Sequence, residues 1–317
     1  MDMRVDGNMD NKNMNSIKGS YKVKSTLERT AQYIFLICAF FAVLAVASIT
    51  IYMLMSGIPA LKEVGALELL FGSVWKPAAE VPRFGIGYVI LTSVIGTGAA
   101  ILLGVPIGVL TAVFLAEVAP KPLVRLVKPA IELLAGIPSV VYGLLGLMIL
   151  NPFMYKIEQM IFKDSLTHQF TGGANLISAV LVLAIMILPT VINISESAIL
   201  AVPGHLRLAS YAVGASKIQT IFKVVLPAAK SGITTAIILG VGRAIGEAMA
   251  ISLVSGSSVN MPLPFNSVRF FTTAIVSEMG YASGLHRQVL FTIGLVLFVF
   301  IMLINFSLTN LLKQEEK

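Results

Sequence analysis

The residues of this sequence best placed to do chemistry are one arginine and one glutamate inside an apolar segment. Arg243 and Glu247 lie in the stretch GVGRAIGEAMA, residues 240–250, and they are the only charged residues between positions 231 and 255. A charge near the centre of a bilayer costs roughly 2.5–3.5 kcal/mol on insertion scales, and such charges usually mark transport routes. A guanidinium also forms paired hydrogen bonds with an oxyanion. The two residues therefore predict a pathway lining or a close helix contact, and an internal ion pair is the alternative.

The spacing of this pair suggests one shared helix face. On a continuous helix Arg243 and Glu247 would be about 40° apart. Small residues share their face: Ala236, Gly240, Gly246 and Ala250. Bulky residues occupy the opposite face, which we expect towards lipid: Ile238, Val241, Ile245 and Met249. Small residues also predict close helix packing at 104–108 and 242–246. Glu132 and Glu196 are weaker pathway candidates, and Glu132 fits an interfacial role equally well because Lys128 is near.

The composition assigns the chain to the membrane proteins. Hydrophobic residues make up 56% and charged residues 12% of its 317 residues, whereas soluble domains have about 25% charged residues. The net charge of +7 is not gathered into a compact basic patch, so no nucleic-acid partner is expected. Lipid is the expected surrounding. Cys38 is the single cysteine, which excludes an internal disulfide framework.

Six apolar runs approach or exceed the roughly 20 residues that cross a bilayer as a helix. We therefore predict an all-α membrane protein with six transmembrane helices. The runs are 32–56, 87–115, 126–150, 174–199, 231–255 and 288–312.

The distribution of Lys and Arg predicts the orientation. With both termini inside, the cytoplasmic segments hold fifteen Lys and Arg and the outer segments hold seven. We therefore expect both termini in the cytoplasm. The polar residues 1–30 predict a disordered cytoplasmic tail, residues 31–312 form the membrane domain, and residues 313–317 form a short C-terminal tail.

The segment 204–227, between the fourth and fifth runs, predicts two short helices joined at a glycine. Gly214 favours the left-handed conformation that ends a helix, and Ser216 with Gln219 forms a capping box that starts the next one. Pro227 then stops that helix. Four apolar residues of the second helix fall on one face: Ile218, Ile221, Phe222 and Val225. The pattern predicts a compact cytoplasmic knob, and an amphipathic helix lying on lipid headgroups is the alternative.

Motifs of several enzyme classes are absent from the sequence. It has no Gly-x-x-x-x-Gly-Lys-Ser/Thr loop for nucleotide phosphates and no His-Glu-x-x-His metal motif. We therefore expect no ATP hydrolysis, no metal and no cofactor on this chain.

The residues of the knob resemble a known motif. The stretch ASYAVGASKIQTIFKVVLP, 209–227, is similar to the EAA loop of bacterial ABC-importer permeases, with Ala209, Gly214, Leu226 and Pro227 at the motif positions. Four further stretches resemble the phosphate-specific permease family of PstC type: FGSVWKPAAE (71–80), ELLAGIPSVVYGLLGL (132–147), LAIMILPTVINIS (183–195) and RAIGEAMA (243–250). One position departs from the motif, because Leu208 stands where the family has its glutamate.

The resemblance implies a type I ABC-importer permease that moves inorganic phosphate across the bacterial cytoplasmic membrane. It implies a sister permease subunit, a cytoplasmic ATPase dimer that binds ATP and docks on segment 204–227, and a periplasmic or extracellular phosphate-binding protein. The outer segments expected to receive the binding protein are 57–86, 151–173 and 256–287. Leu208 removes any ionic contact that the family's glutamate makes with the ATPase.

Two other functions remain open from the residues. A permease for sulfate or molybdate would have the same architecture. An ATP-independent secondary transporter or channel would equally explain Arg243 and Glu247, but it would leave segment 204–227 without a purpose.

Overall fold

The chain is mostly helical wherever its structure is described. A computed structural model describes the backbone of residues 7–314 and the side chains of residues 28–307 and 310. The α-helices are α1 Gly7–Ala60, α2 Ala66–Phe71, α3 Gly87–Val113, α4 Lys121–Gly136, α5 Ser139–Leu145, α6 Asn151–Ile161, α7 Leu176–Leu200, α8 Gly204–Ala212, α9 Lys217–Thr220, α10 Leu226–Ala228, α11 Lys230–Gly246, α12 Met249–Val254, α13 Phe271–Glu278 and α14 Gly284–Gln314. Short π-helical segments lie at Leu61–Gly65, Phe114–Val118, Gly146–Leu150 and Ile221–Val225. A hairpin of β1 (Trp75–Lys76) and β2 (Arg83–Phe84) pairs Trp75 with Phe84.

The described helices provide five membrane crossings, or the predicted six if one bent pair of helical stretches forms a single span. Five are long and apolar enough to span a bilayer, and the bent pair consists of Lys217–Ala228 and Lys230–Gly246, at 70° to each other. The five are Glu28–Phe71, Gly87–Val118, Ser139–Ile161, Leu176–Leu200 and Gly284–Ser307. The predicted all-α membrane class is confirmed.

The third crossing differs from its prediction. The run 126–150 is not one helix, because α4 ends at Gly136 and α5 begins at Ser139. Ile137 between them is extended, with ψ 128°, since a residue before proline is disfavoured in the α conformation. The spanning helix therefore lies later in the chain than predicted.

The fifth crossing is also interrupted. The run 231–255 was expected to be continuous, but α11 ends at Gly246 and Glu247 is extended, with φ −72° and ψ 129°. Glu247 is therefore outside the helix, and the prediction that it shares a helix face with Arg243 is wrong.

The cytoplasmic N-terminal tail stays a prediction. Helix α1 begins at Gly7, and a chain without proline between residues 7 and 58 can extend the helix of its first span through the polar residues. Residues 1–6 of the predicted tail and residues 315–317 of the C-terminal tail lie outside the described residues. The chain forms two compact units, which divide between Met55 and Ser56.

Helix α7 is the most buried spanning helix of the second unit. Gly104 and Gly108 of α3 lie against it, and a Cβ atom at these glycines would lie 2.6 Å from Ile187 Cδ1 and 2.8 Å from Val191 Cγ1. The predicted close packing at 104–108 is thus confirmed. Only glycine lets the two helices approach this closely.

The second small-residue stretch packs differently. Gly242 and Gly246 are exposed, and no heavy atom of the described chain lies within 4 Å of a Cβ built on either. Val241 and Ile245, expected towards lipid, are instead buried within the chain. The lipid-facing assignment was therefore wrong for Val241 and Ile245, whereas Ala236 and Gly240 of the small face are buried, and a Cβ atom at Gly240 would lie 2.9 Å from Val191 Cγ2.

Candidate substrate pathway and coupling segment

Arg243 lies in the last turn of α11 and is half-buried. Its Nη1 donates a hydrogen bond to Thr190 Oγ1 of α7 at 3.1 Å. Within the described part of the chain, this hydroxyl is the one hydrogen-bond partner of the guanidinium. An arginine has five N–H donors, so most of its donors are available for a ligand.

Glu247 is buried at the break between α11 and α12, with 8% of its surface exposed. Its Oε1 accepts a hydrogen bond from the Ala250 backbone N–H at 2.9 Å, and its backbone carbonyl accepts one from Thr272 Oγ1 at 2.5 Å. These contacts satisfy backbone groups that the break removes from the helix. No salt bridge joins Glu247 to Arg243 among the described side chains.

The two helix breaks lie on segments that pack against each other. A Cβ atom at Gly143 of α5 would lie 2.7 Å from Ala250 Cα of α12, and one at Gly146 would lie 2.6 Å from Val254 Cγ1. Tyr142 donates from its hydroxyl to the Leu134 carbonyl at 2.7 Å, across the first break. The stretches AGIPSVVYG and RAIGEAMA therefore form one structural unit.

The weaker candidates, Glu196 and Glu132, differ in burial. Glu196 of α7 is buried and pairs with Lys128 of α4, with 3.0 Å between Nζ and Oε1. Glu132 is exposed. Lys128 therefore forms its ion pair with Glu196 rather than with Glu132.

Segment 204–227, the predicted knob, is called the coupling segment from here on. It folds as two short helical stretches around a glycine. Gly214 has φ +83°, and Ser216 and Gln219 form the predicted capping box. A hydrogen bond of 2.9 Å between the buried hydroxyls of Ser210 and Thr220 holds the two stretches together. The predicted pair of short helices, the left-handed Gly214 and the capping box are confirmed.

The apolar residues of the coupling segment divide between two surfaces. Ile221 and Val225 are buried in a core cluster with residues of α3, α4 and α7, whereas Ile218 and Phe222 are 70% and 53% exposed. The prediction of a single apolar face for all four was therefore wrong, because a π-helical turn at Ile221–Val225 alters their angular spacing. The motif residues Ala209, Gly214 and Pro227 are exposed, and Leu226 is half-buried.

Comparison with known proteins decides the family. Residues 104–315 match the model of the family described as binding-protein-dependent transport system inner membrane component. The chain belongs to this permease family.

Relatives of the permease extend the similarity beyond the matched residues. This chain is 38% identical to "Probable ABC transporter permease protein YqgH" of Bacillus subtilis, over 85% of this chain and 87% of the relative. It is 34% identical to "Phosphate transport system permease protein PstC" of Haemophilus influenzae, over 82% and 86%. The PstC protein of Mesorhizobium japonicum is 33% identical, over 89% and 92%.

A solved structure supports the fold of the permease. The inward-facing MetNI methionine ABC transporter contains a chain that matches with a TM-score of 0.54 and 21% identity, over 72% of the permease and 95% of that chain. This likeness concerns the fold alone.

Two buried carboxylates hold together the predicted outer segments of the permease. Glu158 acts within segment 151–173, and Glu278 joins segment 256–287 to segment 57–86. Glu278 accepts hydrogen bonds from Trp75 Nε1 at 3.1 Å and from His286 Nε2 at 2.6 Å, and it also pairs with Arg269. Glu158 accepts from His168 Nε2 at 2.8 Å. A polar cavity of about 500 Å³ lies beside His168. None of these contacts was predicted from the sequence: Trp75 and Glu278 are 203 positions apart, and the other pairs are joined across loops without a regular residue spacing.

Thr190 and Tyr142 were also missed as neighbours of the charged pair. Thr190 follows Pro189 in a run that reads as an ordinary apolar helix, and its contact with Arg243 spans 53 positions. The sequence does contain a signal for the helix end before Tyr142: Pro138 follows Gly136 closely, which is typical of a helix end.

Proposed function

We propose that this chain is the membrane permease subunit of an ATP-driven importer of inorganic phosphate. The similarity to proteins named as phosphate transport permeases carries the proposal, because it extends over more than four-fifths of both chains. The substrate is taken from those relatives. The fold and family are those of an importer membrane component.

Arg243 is the residue proposed to stabilise the anion during its passage. It is half-buried, and one hydroxyl, on Thr190, holds its Nη1. The planar guanidinium can offer two parallel N–H groups to phosphate oxygens. Inside a poorly hydrated bundle, such charge-assisted hydrogen bonds are stronger than in water.

Glu247 is proposed to act on the pathway mainly by fixing the break beside Arg243. Its carboxylate and carbonyl bind Ala250 and Thr272, so it connects α12 and α13 to the end of α11. Its second carboxylate oxygen remains a candidate acceptor for the proton of HPO₄²⁻, which sulfate does not carry. That acceptor would oppose sulfate through like-charge repulsion.

The ATPase dimer is proposed to bind the exposed surface of segment 204–227 and to carry the ATP. Leu208, Val213 and Ile218 are each at least 70% exposed on this surface. Exposed apolar residues of this size favour a protein contact. ATP-driven displacement of the segment would switch the access of the pathway as a rigid-body transition.

The sister permease is proposed to pack on the exposed face of α11. Gly242 and Gly246 are four residues apart on that face, with open space beside both. Small residues at this spacing let membrane helices approach closely. The phosphate-binding protein would contact the outer segments 57–86, 151–173 and 256–287, and both termini would lie in the cytoplasm beneath the cytoplasmic membrane.

Uptake of radiolabelled phosphate by cells with and without this gene tests the proposal. We expect uptake to fall when the gene is deleted and to return when it is restored. Excess unlabelled phosphate should compete, whereas excess sulfate should not. Equal competition by sulfate, or uptake unchanged by the deletion, would contradict phosphate as the substrate.

A further inference from the structure

One arginine of the coupling segment joins it to two other parts of the bundle. Arg207 of α8 donates from Nε and Nη2 to Glu117 Oε1, at 3.1 Å and 2.7 Å. Its Nη1 donates to the Val202 carbonyl at 2.5 Å, and Nη2 also donates to the Ile199 carbonyl at 2.9 Å. The Arg207 and Glu117 side chains are only 20% and 11% exposed.

The acceptors of Arg207 lie at the ends of two helices of the bundle. Ile199 lies in the last turn of α7, and its carbonyl also accepts a hydrogen bond from the Val202 backbone N–H at 3.3 Å. Glu117 lies in the π-helical turn that continues α3. A guanidinium spreads five N–H donors over a rigid plane and so reaches a carboxylate and two carbonyls at once, whereas an ammonium group has three donors on a single atom.

Helix α7 connects this contact to the proposed pathway. Ile199 and Thr190 lie on the same helix, and Thr190 holds Arg243. Glycines of both neighbouring helices press on α7: a Cβ atom at Gly108 of α3 or at Gly240 of α11 would lie within 3.0 Å of Val191. Because the helices are packed at this distance, a shift of the end of α7 must move its neighbours with it.

The other contacts between the coupling segment and α7 are less directional. Ile221 and Val225 belong to the apolar cluster that contains Ile192 and Ile199, and apolar contacts set no fixed direction. The ion pair of Lys128 with Glu196 reaches α7 from α4, outside the coupling segment. Arg207 therefore provides the directional link.

We propose that Arg207 is a positioning residue that transmits the displacement of the coupling segment to α7 and thereby to Arg243. The proposal rests on the proposed function. It differs from a purely structural cap on α7, which would affect the stability of the bundle but not the amount of ATP used for each phosphate imported.

The test uses the whole importer, purified with its partner subunits and reconstituted into liposomes. ATP hydrolysis and accumulation of radiolabelled phosphate are measured together, and their ratio is the readout. Arg207→Lys keeps one charge for Glu117 but loses the simultaneous contacts with Ile199 and Val202. We expect the complex to assemble and hydrolyse ATP, with the ATP used per phosphate raised by about fivefold or more, the lower end of typical coupling between sites.

Lys128→Met is the matched control, because it removes another basic partner of α7 without touching the coupling segment. We expect its ATP per phosphate to equal that of the wild type, even if its thermal midpoint falls. An equal rise in both variants would show that general weakening of α7 is responsible and would overturn the role of Arg207.

Glu117→Gln decides the case if Arg207→Lys does not assemble. It leaves both carbonyl contacts of Arg207 in place and removes the ionic one, so a smaller rise in the ratio is expected. If the assembled Glu117→Gln complex used the same amount of ATP per phosphate as the wild type, the proposal would be overturned. A wild-type complex that hydrolyses ATP without accumulating phosphate would instead contradict the proposed function itself.

Discussion

At the scale of residues, a role for Arg243 can be predicted from the sequence, but its surroundings cannot. A lone arginine in an apolar run indicates function whatever its partner is. Its actual partner, Thr190, lies on another helix, and no local pattern identifies a contact of that kind. Glu247 was predicted as a neighbour along the helix, yet its carboxylate binds the Ala250 N–H beyond the break. A backbone break of one or two residues therefore invalidates a prediction that rests on the spacing of residues along a continuous helix.

Arg243→Gln tests the proposed role of the guanidinium. Loss of two charge-assisted hydrogen bonds to the anion, at roughly 1.5 kcal/mol each, should lower phosphate uptake by about two orders of magnitude. Arg243→Lys should restore only a small part of it, because the planar fork is lost. Uptake by cells that carry each variant is the measurement.

Arg125→Gln serves as the control for the loss of a positive charge. Arg125 lies in α4, before the third spanning helix, and is exposed. We expect its uptake and its yield of assembled complex to match the wild type. Uptake at the wild-type rate in Arg243→Gln would show that Arg243 serves only the packing of α11 on α7.

At the scale of elements, the parts with local signals were predictable and the helix interruptions were not. Gly214 and the Ser216 capping box specify the coupling segment within a few residues, and both are present. The break at Glu247 carries no proline, and contacts from Thr272 and Ala250 stabilise it. Such tertiary contacts cannot be read from composition or periodicity. The π-helical turn at Ile221–Val225 likewise separates residues that an ideal helix would place together.

Gly214→Val tests the bend of the coupling segment. A Cβ atom here would meet no heavy atom within 4 Å, so the cost comes from φ +83° alone. The left-handed conformation costs a side chain about 1–2 kcal/mol, and a β-branched residue resists it most. We expect weaker co-purification of the ATPase subunit, or hydrolysis that is uncoupled from uptake.

Gly214→Asn is the companion variant, because asparagine adopts the left-handed conformation more readily than other residues with a side chain. It should retain most of the coupling. Normal assembly and normal uptake in Gly214→Val would contradict the docking role of the segment.

At the scale of the whole molecule, the chain has the features of one subunit of a larger machine. Its sequence contains no nucleotide-phosphate loop. Its exposed coupling segment and the open glycine face of α11 are surfaces that suit partner subunits. The six-crossing architecture followed from hydropathy, because every long apolar segment must satisfy its backbone groups within a helix. The arrangement of the crossings around α7 depends on Gly104 and Gly108, whose opposing residues lie more than 80 positions away, and it was not predictable.

The proposed function makes this chain the membrane pathway of an ATP-driven phosphate importer. The most direct measurement is accumulation of radiolabelled phosphate in liposomes that contain the permease, its sister subunit and the ATPase, with the binding protein supplied on the outer side. We predict accumulation that requires ATP and the binding protein and that excess sulfate leaves unchanged. Phosphate entry that continues without ATP, or a complete assembly that hydrolyses ATP and accumulates no phosphate, would contradict the account.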